Sequence, residues 1–156
     1  MNALRPLVQL PTCALGVRHD QTGLIEEIIF MPPGTPLVNK RGTTEELFCK
    51  HMEAYLNDPH TLLDLPLAQR GTVFQQRVWH AIRSIPAGHT RHYGELAQYL
   101  GSAARAVGQA CGANPFPLIT PCHRVMAKTG LGGFAHAQEG WLLDTKRWLL
   151  QHEGAL

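Results

Sequence analysis

Two reactive side chains stand together in Pro121-Cys122-His123-Arg124-Val125, at the end of the apolar run Phe116-Pro117-Leu118-Ile119. A cysteine attacks electrophiles as its thiolate; its free pKa of about 8.5 is lowered by a neighbouring base or a helix N-terminus. Neighbouring residues of an extended strand point to opposite sides, so His123 reaches the sulfur only if the chain turns here. Pro121 favours such a turn, because its fixed φ suits the first position of a helical turn. The sulfur would then lie near unpaired N–H groups that stabilise an anion, and Cys122 is expected to titrate below a free thiol. Burial of the cysteine for packing alone is the competing reading of a bare Cys-His pair. The flanking sequence decides between them.

With 156 residues, 44% of them hydrophobic and 17% charged, the chain can bury a core as one ordinary domain or two small ones. The net charge of +2 is unevenly placed: residues 1–70 carry −2 and residues 71–156 carry +4. A basic C-terminal half is compatible with a polyanionic partner. Cys13, Cys49, Cys111 and Cys122 are widely spaced, with no C-x-x-C pair. That argues against a zinc ribbon, a redox motif or a disulfide framework. Neither a signal peptide nor an apolar run of membrane-spanning length is evident, so a reducing cytoplasm is the expected location and no membrane partner is expected.

The elements that would position Cys122 follow from patterning. Residues 1–12 read as a loose lead-in, Cys13 to Arg18 and Leu24 to Phe30 as strands, and residues 31–43 as a Pro/Gly-rich loop. Thr43 and Glu46 have capping-box spacing ahead of a helix with Phe48, Met52, Tyr55 and Leu56 on one face. Residues 59–71 read as a linker. Thr72 with Gln75 is a second capping box, opening a helix buried through Phe74, Val78, Ala81 and Ile82. A helix-turn-helix is expected next: Tyr93 to Leu100, a turn at Gly101, then a helix capped by Ser102 and running from Ala103 to about Cys111. The second helix carries Arg105 among small residues, Ala104, Ala106 and Gly108, which permit close approach to another surface. A glycine-rich loop bears Phe134. A last helix spans about 140–153, with Trp141, Thr145, Trp148, Leu149 and His152 on one side.

These motifs occur in an order that resembles one family, the O6-alkylguanine-DNA alkyltransferases (methylated-DNA–protein-cysteine methyltransferases). The carriers are Phe74-Gln75-Gln76-Arg77-Val78-Trp79, Ile85-Pro86-Ala87-Gly88, Tyr93-Gly94-Glu95-Leu96-Ala97, Ala103-Ala104-Arg105-Ala106-Val107-Gly108, Asn114-Pro115, Pro121 to Val125, Gly133-Phe134-Ala135 and Lys146 to Gly154. They cover residues 72–154; residues 1–60 are similar only in outline. The resemblance implies an α+β protein with two units. A small antiparallel sheet with a helix, ribonuclease-H-like, would occupy residues 1–68, and a helical, winged-helix-like DNA-binding domain residues 69–156.

It also implies a function. The protein would flip an alkylated guanine out of duplex DNA and move the alkyl group to its own cysteine, once per molecule, as a monomer with no cofactor; some members hold zinc in the N-terminal unit, but the cysteines and histidines here do not line up with such a set, so no metal is expected. Flipping is required because the alkyl carbon lies on a base edge inside the duplex. By resemblance Cys122 is the acceptor, linked by His123 through water to Glu153. Asn114 braces the turn, and Tyr93 contacts the base and gives a proton to the departing guanine. Pro117, Val125, Phe134 and Ala135 line the pocket, with backbone at Cys122 and Val125 accepting from the guanine amino group and the Ala135 amide meeting O6. Arg105 is the finger that fills the gap in the stack; Ala104, Ala106, Gly108 and Arg124 belong to the DNA-binding surface, with the second helix in the minor groove.

The chain departs from the family in two places. Thr120 stands where an aliphatic residue usually precedes the proline. His136-Ala137-Gln138-Glu139-Gly140 replaces a Gly-Gly-Leu and lengthens the stretch to Lys146, which puts an imidazole on the expected pocket rim. Rival readings are a lesion-binding relative that transfers nothing, a helix-turn-helix regulator, and a thiol protease or transferase. The first would lack Cys122, the second would need no Pro-Cys-His-Arg, and the third would lack Arg105 and the basic half.

Overall fold

The computed structural model describes residues 3–137 and 139–156; Met1, Asn2 and Gln138 of the glycine-rich loop lie outside the described residues. An antiparallel sheet in the order β1 (Arg5–Gln9), β2 (Ala14–His19), β3 (Ile25–Met31) comes first. β2 is central and β-branched or apolar on both faces, with Ala14, Leu15 and Val17 fully buried. The lead-in expected over residues 1–12 is therefore corrected. Arg5 to Gln9 pair with Val17 to Ala14, a partnership set by the neighbouring strand that a Pro-containing run does not signal.

Helix α1 (Gly42–Asn57) covers the sheet with Phe48, Cys49, Met52 and Tyr55. Its start is not the expected capping box. Glu45 reaches back to the Arg41 amide at 2.8 Å and pairs with Arg5 Nε at 2.8 Å, so a tertiary partner in β1 outweighs the local Thr43–Glu46 signal. The segment expected as a linker is tied down: Ile25, the first residue of β3, donates its amide to the Pro66 carbonyl at 2.7 Å, and its carbonyl accepts from the Ala68 amide at 2.8 Å.

Helix α2 (Val73–Arg83) opens with the expected Thr72–Gln75 capping box. After the two-residue strand β4 (Arg91–His92) come α3 (Tyr93–Leu100) and α4 (Ala104–Gly112), joined through Gly101 at φ 66, a left-handed conformation that glycine adopts without strain. Ala103, not Ser102, occupies the N-cap of α4, and no side chain caps it. Trp79 Nε1 donates to the Ala110 carbonyl at 2.8 Å and Arg77 Nη2 to that of Leu100 at 3.2 Å, which binds α2 to both helices. β4 pairs in parallel with β5 (Val125–Met126), bringing the start of α3 beside the Cys122 turn.

Helix α5 (Trp141–His152) buries Leu143, Thr145, Lys146, Leu149 and Leu150; of the side expected from the sequence, Thr145 and Leu149 are fully buried and Trp141, Trp148 and His152 half-buried. One hydrophobic cluster runs from Leu7 in β1 to Leu149 in α5 without a break. Polar ties across it include Ile28 N–H to the Pro115 carbonyl at 2.8 Å and Thr12 Oγ1 to Thr145 Oγ1 at 2.6 Å. Among the described residues no helix is long and apolar enough to cross a membrane.

Candidate active site

The turn that presents Cys122 starts one residue earlier than proline chemistry alone suggests. Pro121 has φ −80 and ψ 67, and the Cys122 amide donates to the Thr120 carbonyl at 2.8 Å, an inverse γ-turn centred on the proline. A single 3-10 turn over Cys122–Arg124 follows, closed by Arg124 N–H to the Pro121 carbonyl at 2.9 Å. Upstream, Leu118 holds φ 76 while 4% exposed, a left-handed residue that its packing must hold in place against roughly 1–2 kcal/mol of strain. Asn114 braces the loop: its Nδ2 donates to the Thr120 carbonyl at 2.9 Å and to Cys122 Sγ at 3.3 Å, and its Oδ1 accepts from the Phe116 amide at 2.9 Å. Thr120 is completely buried, and its hydroxyl accepts from Arg83 Nε at 2.7 Å. A residue that departs from the family pattern thus has a partner in α2.

The Cys122 thiol does not match the expectation of a depressed pKa. A hydrogen bond with the Cys111 thiol and burial push it well above the ordinary value, outweighing the Asn114 amide and the charge of Lys146. Cys122 is 6% exposed, and the three-residue turn leaves it no helix-terminal anion site. The resting form is therefore the thiol, which becomes a nucleophile only on losing its proton.

His123 is the titratable side chain next to Cys122 in sequence. Burial lowers its pKa, against the pull of Glu153, so the imidazole is neutral. Its Nε2 lies 2.7 Å from Glu153 Oε2. Burial alone would raise the Glu153 carboxyl, but bonds from His123 and Arg124 dominate and hold it at about 2. A carboxylate only accepts, so Nε2 carries the proton and Nδ1 keeps the lone pair. Nδ1 is buried and makes no hydrogen bond to the described residues.

Cys122 opens onto two cavities. The larger, about 490 Å³, is walled by Tyr93, Ala104, Arg105 and Gly108 of the two helices and by Phe134 and Ala135 of the loop. The smaller, about 270 Å³, lies between β3, Asn114, Pro117 and Phe134. These walls bring together most of the residues expected at the site. Five line neither cavity: His123 and Glu153, paired with each other as described, and Ala106, Val125 and Arg124. Ala106 is half-buried. Val125 is fully buried; its carbonyl accepts from Lys146 Nζ at 2.7 Å, and its amide donates to the Cys122 carbonyl. Arg124, expected on the DNA-binding surface, turns inward instead. Its Nε and Nη2 bind Glu153 at 2.9 and 3.0 Å, and Nη1 donates to the Ile85 carbonyl at 2.6 Å.

His136 does face the larger cavity. Its ring lies so close over Gly112 that a Cβ there would run into it. Ala135 and His136 form the two central residues of a tight turn with φ of 50 and 66, closed by paired bonds between Phe134 and Ala137 at 2.9 and 2.8 Å.

Sequence reading assigned no role to three residues of the site. Lys146 is fully buried and clamps two loops, donating to Val125 at 2.7 Å and Gly133 at 2.9 Å, 5.9 Å from the centre of the Tyr93 ring; burial lowers its pKa to about 8. A lysine three residues from both Leu143 and Leu149 on the apolar side of α5 was the available signal. Tyr55, read as core, donates to Glu153 at 2.6 Å. Cys111 is brought to Cys122 by the end of α4, a contact with no local signature.

A sequence profile of the 6-O-methylguanine DNA methyltransferase DNA-binding domain matches residues 73–155. The methylated-DNA–protein-cysteine methyltransferase of Salmonella typhimurium is 50% identical over 95 residues, which are 59% of this chain and 53% of that protein. The chain thus spans about half the length of the first curated relatives it matches. The crystal structure of the Mycobacterium tuberculosis O6-methylguanine methyltransferase is similar across 99% of this chain and 94% of its own, with 34% identity and a TM-score of 0.81. The structure of that protein in complex with DNA covers 97% of this chain and 92% of its own, with a TM-score of 0.79 and 34% identity. The profile match spans more than half of the residues, including the Cys122 turn, both helices of the helix-turn-helix and Glu153, and the chain belongs to the 6-O-methylguanine DNA methyltransferase family.

Proposed function

We propose that the protein repairs duplex DNA by transferring the alkyl group of O6-alkylguanine, chiefly O6-methylguanine, to Cys122 in a single turnover. The observation that carries this reading is the placement of the thiol. Cys122 sits on the wall of a cavity bounded by both helices of the helix-turn-helix, beside a neutral imidazole whose Nε2 is fixed by a buried carboxylate. In the reaction the His123 Nδ1 lone pair takes the thiol proton through a bridging water. The sulfur attacks the alkyl carbon, the carbon–O6 bond breaks, and the guanine leaves with the bonding pair. Burial raises the Tyr93 pKa, so its phenol stays protonated on the cavity wall and relays a proton to the departing guanine, while the proton His123 took from the thiol passes back through water to restore the phenol, leaving neutral guanine, phenol and imidazole. The product is a thioether, which has no route back to the thiol, so each molecule acts once.

DNA is the partner in this reading, as it is for the Mycobacterium tuberculosis relative solved with DNA. The small residues Ala104 and Gly108 border the cavity on α4, a surface suited to close approach in a minor groove. Exposed Arg105 on the same wall takes the place of the flipped base. The sheet with α1 corresponds to the ribonuclease-H-like unit of residues 1–68, and α2 to α5 to the winged-helix-like unit of residues 69–156; the protein acts as a monomer in the cytoplasm.

The test is stoichiometric. Protein titrated with duplex carrying tritiated O6-methylguanine should accept one methyl per molecule and then stop. Continued turnover, or binding of the duplex with no transfer, would contradict the proposal.

A further inference from the structure

The carboxylate behind His123 is shared with the N-terminal part of the chain. Tyr55, near the end of α1, donates its hydroxyl to Glu153 Oε2 at 2.6 Å. The same oxygen accepts from His123 Nε2 at 2.7 Å and from Arg124 Nη2 at 3.0 Å. Tyr55 is 2% exposed and Glu153 4%, so solvent does not compete for these bonds. The tyrosine is itself held in register: His152 Nε2 donates to its carbonyl at 2.9 Å, and the His152 ring stands edge-on to it at 5.2 Å while stacking on Trp148 at 5.0 Å. A phenylalanine would fill the same space, so packing alone does not require the hydroxyl.

We propose that Tyr55 is a positioning residue for the transfer reaction: its bond to Glu153 Oε2 draws charge from the oxygen that faces His123 and keeps the imidazole in its neutral, proton-accepting form. This rests on the base role of His123 proposed above. A carboxylate oxygen that accepts a hydrogen bond stabilises a neighbouring cation less, because part of its charge is already engaged. The groups facing the imidazole come from three elements. Tyr55 belongs to α1, and Cys122 and Arg124 to the turn; Lys146 lies in α5, with Glu153 at its end. Arg124 and Lys146 also disfavour a second proton on His123. The N-terminal unit supplies none of the Cys-His-Glu relay, yet through Tyr55 it sets the protonation of the relay's base.

Two versions of the full chain test this, Tyr55→Phe and a chain with 3-fluorotyrosine at position 55, a stronger donor. The readouts are the ¹⁵N titration of the His123 imidazole and the pH profile of methyl transfer. Tyr55→Phe should raise the His123 midpoint by about 0.5–1 pH unit and move the acid limb of the profile with it, leaving the alkaline plateau nearly unchanged. The fluorinated chain should move both downward. In a Glu153→Gln background, Tyr55→Phe should produce no further shift. A midpoint that stays with the parent's, or a rate that falls equally at every pH, overturns the proposal. If Tyr55→Phe does not fold, the fluorinated chain decides alone, and an unmoved or raised midpoint overturns it. The titration involves no alkyl donor. A chain that shows the shifts but transfers nothing would sink the proposed function and leave the Tyr55–Glu153–His123 coupling standing.

Discussion

Behind Cys122, Glu153 takes bonds from Tyr55, His123 and Arg124, and Lys146 clamps the Val125 and Gly133 carbonyls. In front of it, the cavity wall is completed by an exposed turn in which Ala135 and His136 both hold left-handed φ and an imidazole rests on Gly112. The rear is built from charged groups that would be costly to bury singly and are tolerated only as a satisfied network. The front is held by one tight turn and one ring contact. The difference separates two tasks. The reaction needs a base and a thiol whose positions do not vary, while the range of adducts accepted depends on a rim that can change without disturbing either.

The largest effect should come from the shared atom of both sides. Cys122→Ser should abolish transfer while retaining affinity for duplex DNA, measured by gel shift. Transfer at the parent's rate would remove Cys122 from the account. Next is the rear network. Glu153→Gln should leave the half-buried Arg124 without its counter-charge and cost roughly 2–4 kcal/mol of stability by chemical denaturation. It should also slow transfer, since His123 loses the group that fixes its tautomer. The pH dependence has a defined sign. Glu153 titrates at about 2 in the fold, below its ordinary value near 4.5, so its contribution is complete above that ordinary value and is lost as pH falls toward 2. His123, lowered by burial, adds a loss of the same sign as pH falls below its unfolded value. The parent should therefore lose on the order of 3 kcal/mol more than Glu153→Gln between pH 5 and pH 2. Equal losses would mean the carboxylate is not charged in the fold.

The front should respond more selectively. Arg105→Ala should slow repair of duplex DNA by about tenfold or more, the equivalent of a few kcal/mol of flipping energy only partly recovered, while barely changing attack on a free benzylated guanine. Equal losses on both would contradict its role in flipping. The smallest effect belongs to His136→Gly. It should raise benzyl transfer relative to methyl transfer, and relieve about 1 kcal/mol of left-handed strain. An unchanged ratio would show that the ring on Gly112 does not limit the cavity.

The same division governs what the sequence made legible. The Thr72–Gln75 box, the Gly101 turn and the Pro-Cys-His motif are local signals, and each sits at the expected place. Features decided by distant partners were not readable. β1 depends on β2, the start of α1 is set by Glu45 bonded to the Arg41 amide and to Arg5 rather than by Thr43 and Glu46, and Tyr55 has the spacing of a core residue although its hydroxyl meets Glu153, 98 positions away. The Cys122 pKa was misjudged for the same reason. The adjacent histidine is visible in sequence, but the Cys111 thiol and burial, which dominate, come from tertiary packing, with Cys111 brought in by the end of α4. Arg124 looked like a DNA contact because it is basic and beside the motif; its partner Glu153 lies 29 residues on.

The most direct test of the account is where the alkyl group ends up. After incubation with duplex O6-methylguanine DNA, intact mass should show one methyl replacing one hydrogen. Fragmentation of the peptide running from Ala106 to Arg124, which holds both Cys111 and Cys122, should place that methyl on Cys122 alone. A methyl on Cys111, on both thiols or on neither would contradict the assignment of Cys122 as the acceptor served by the His123–Glu153 relay.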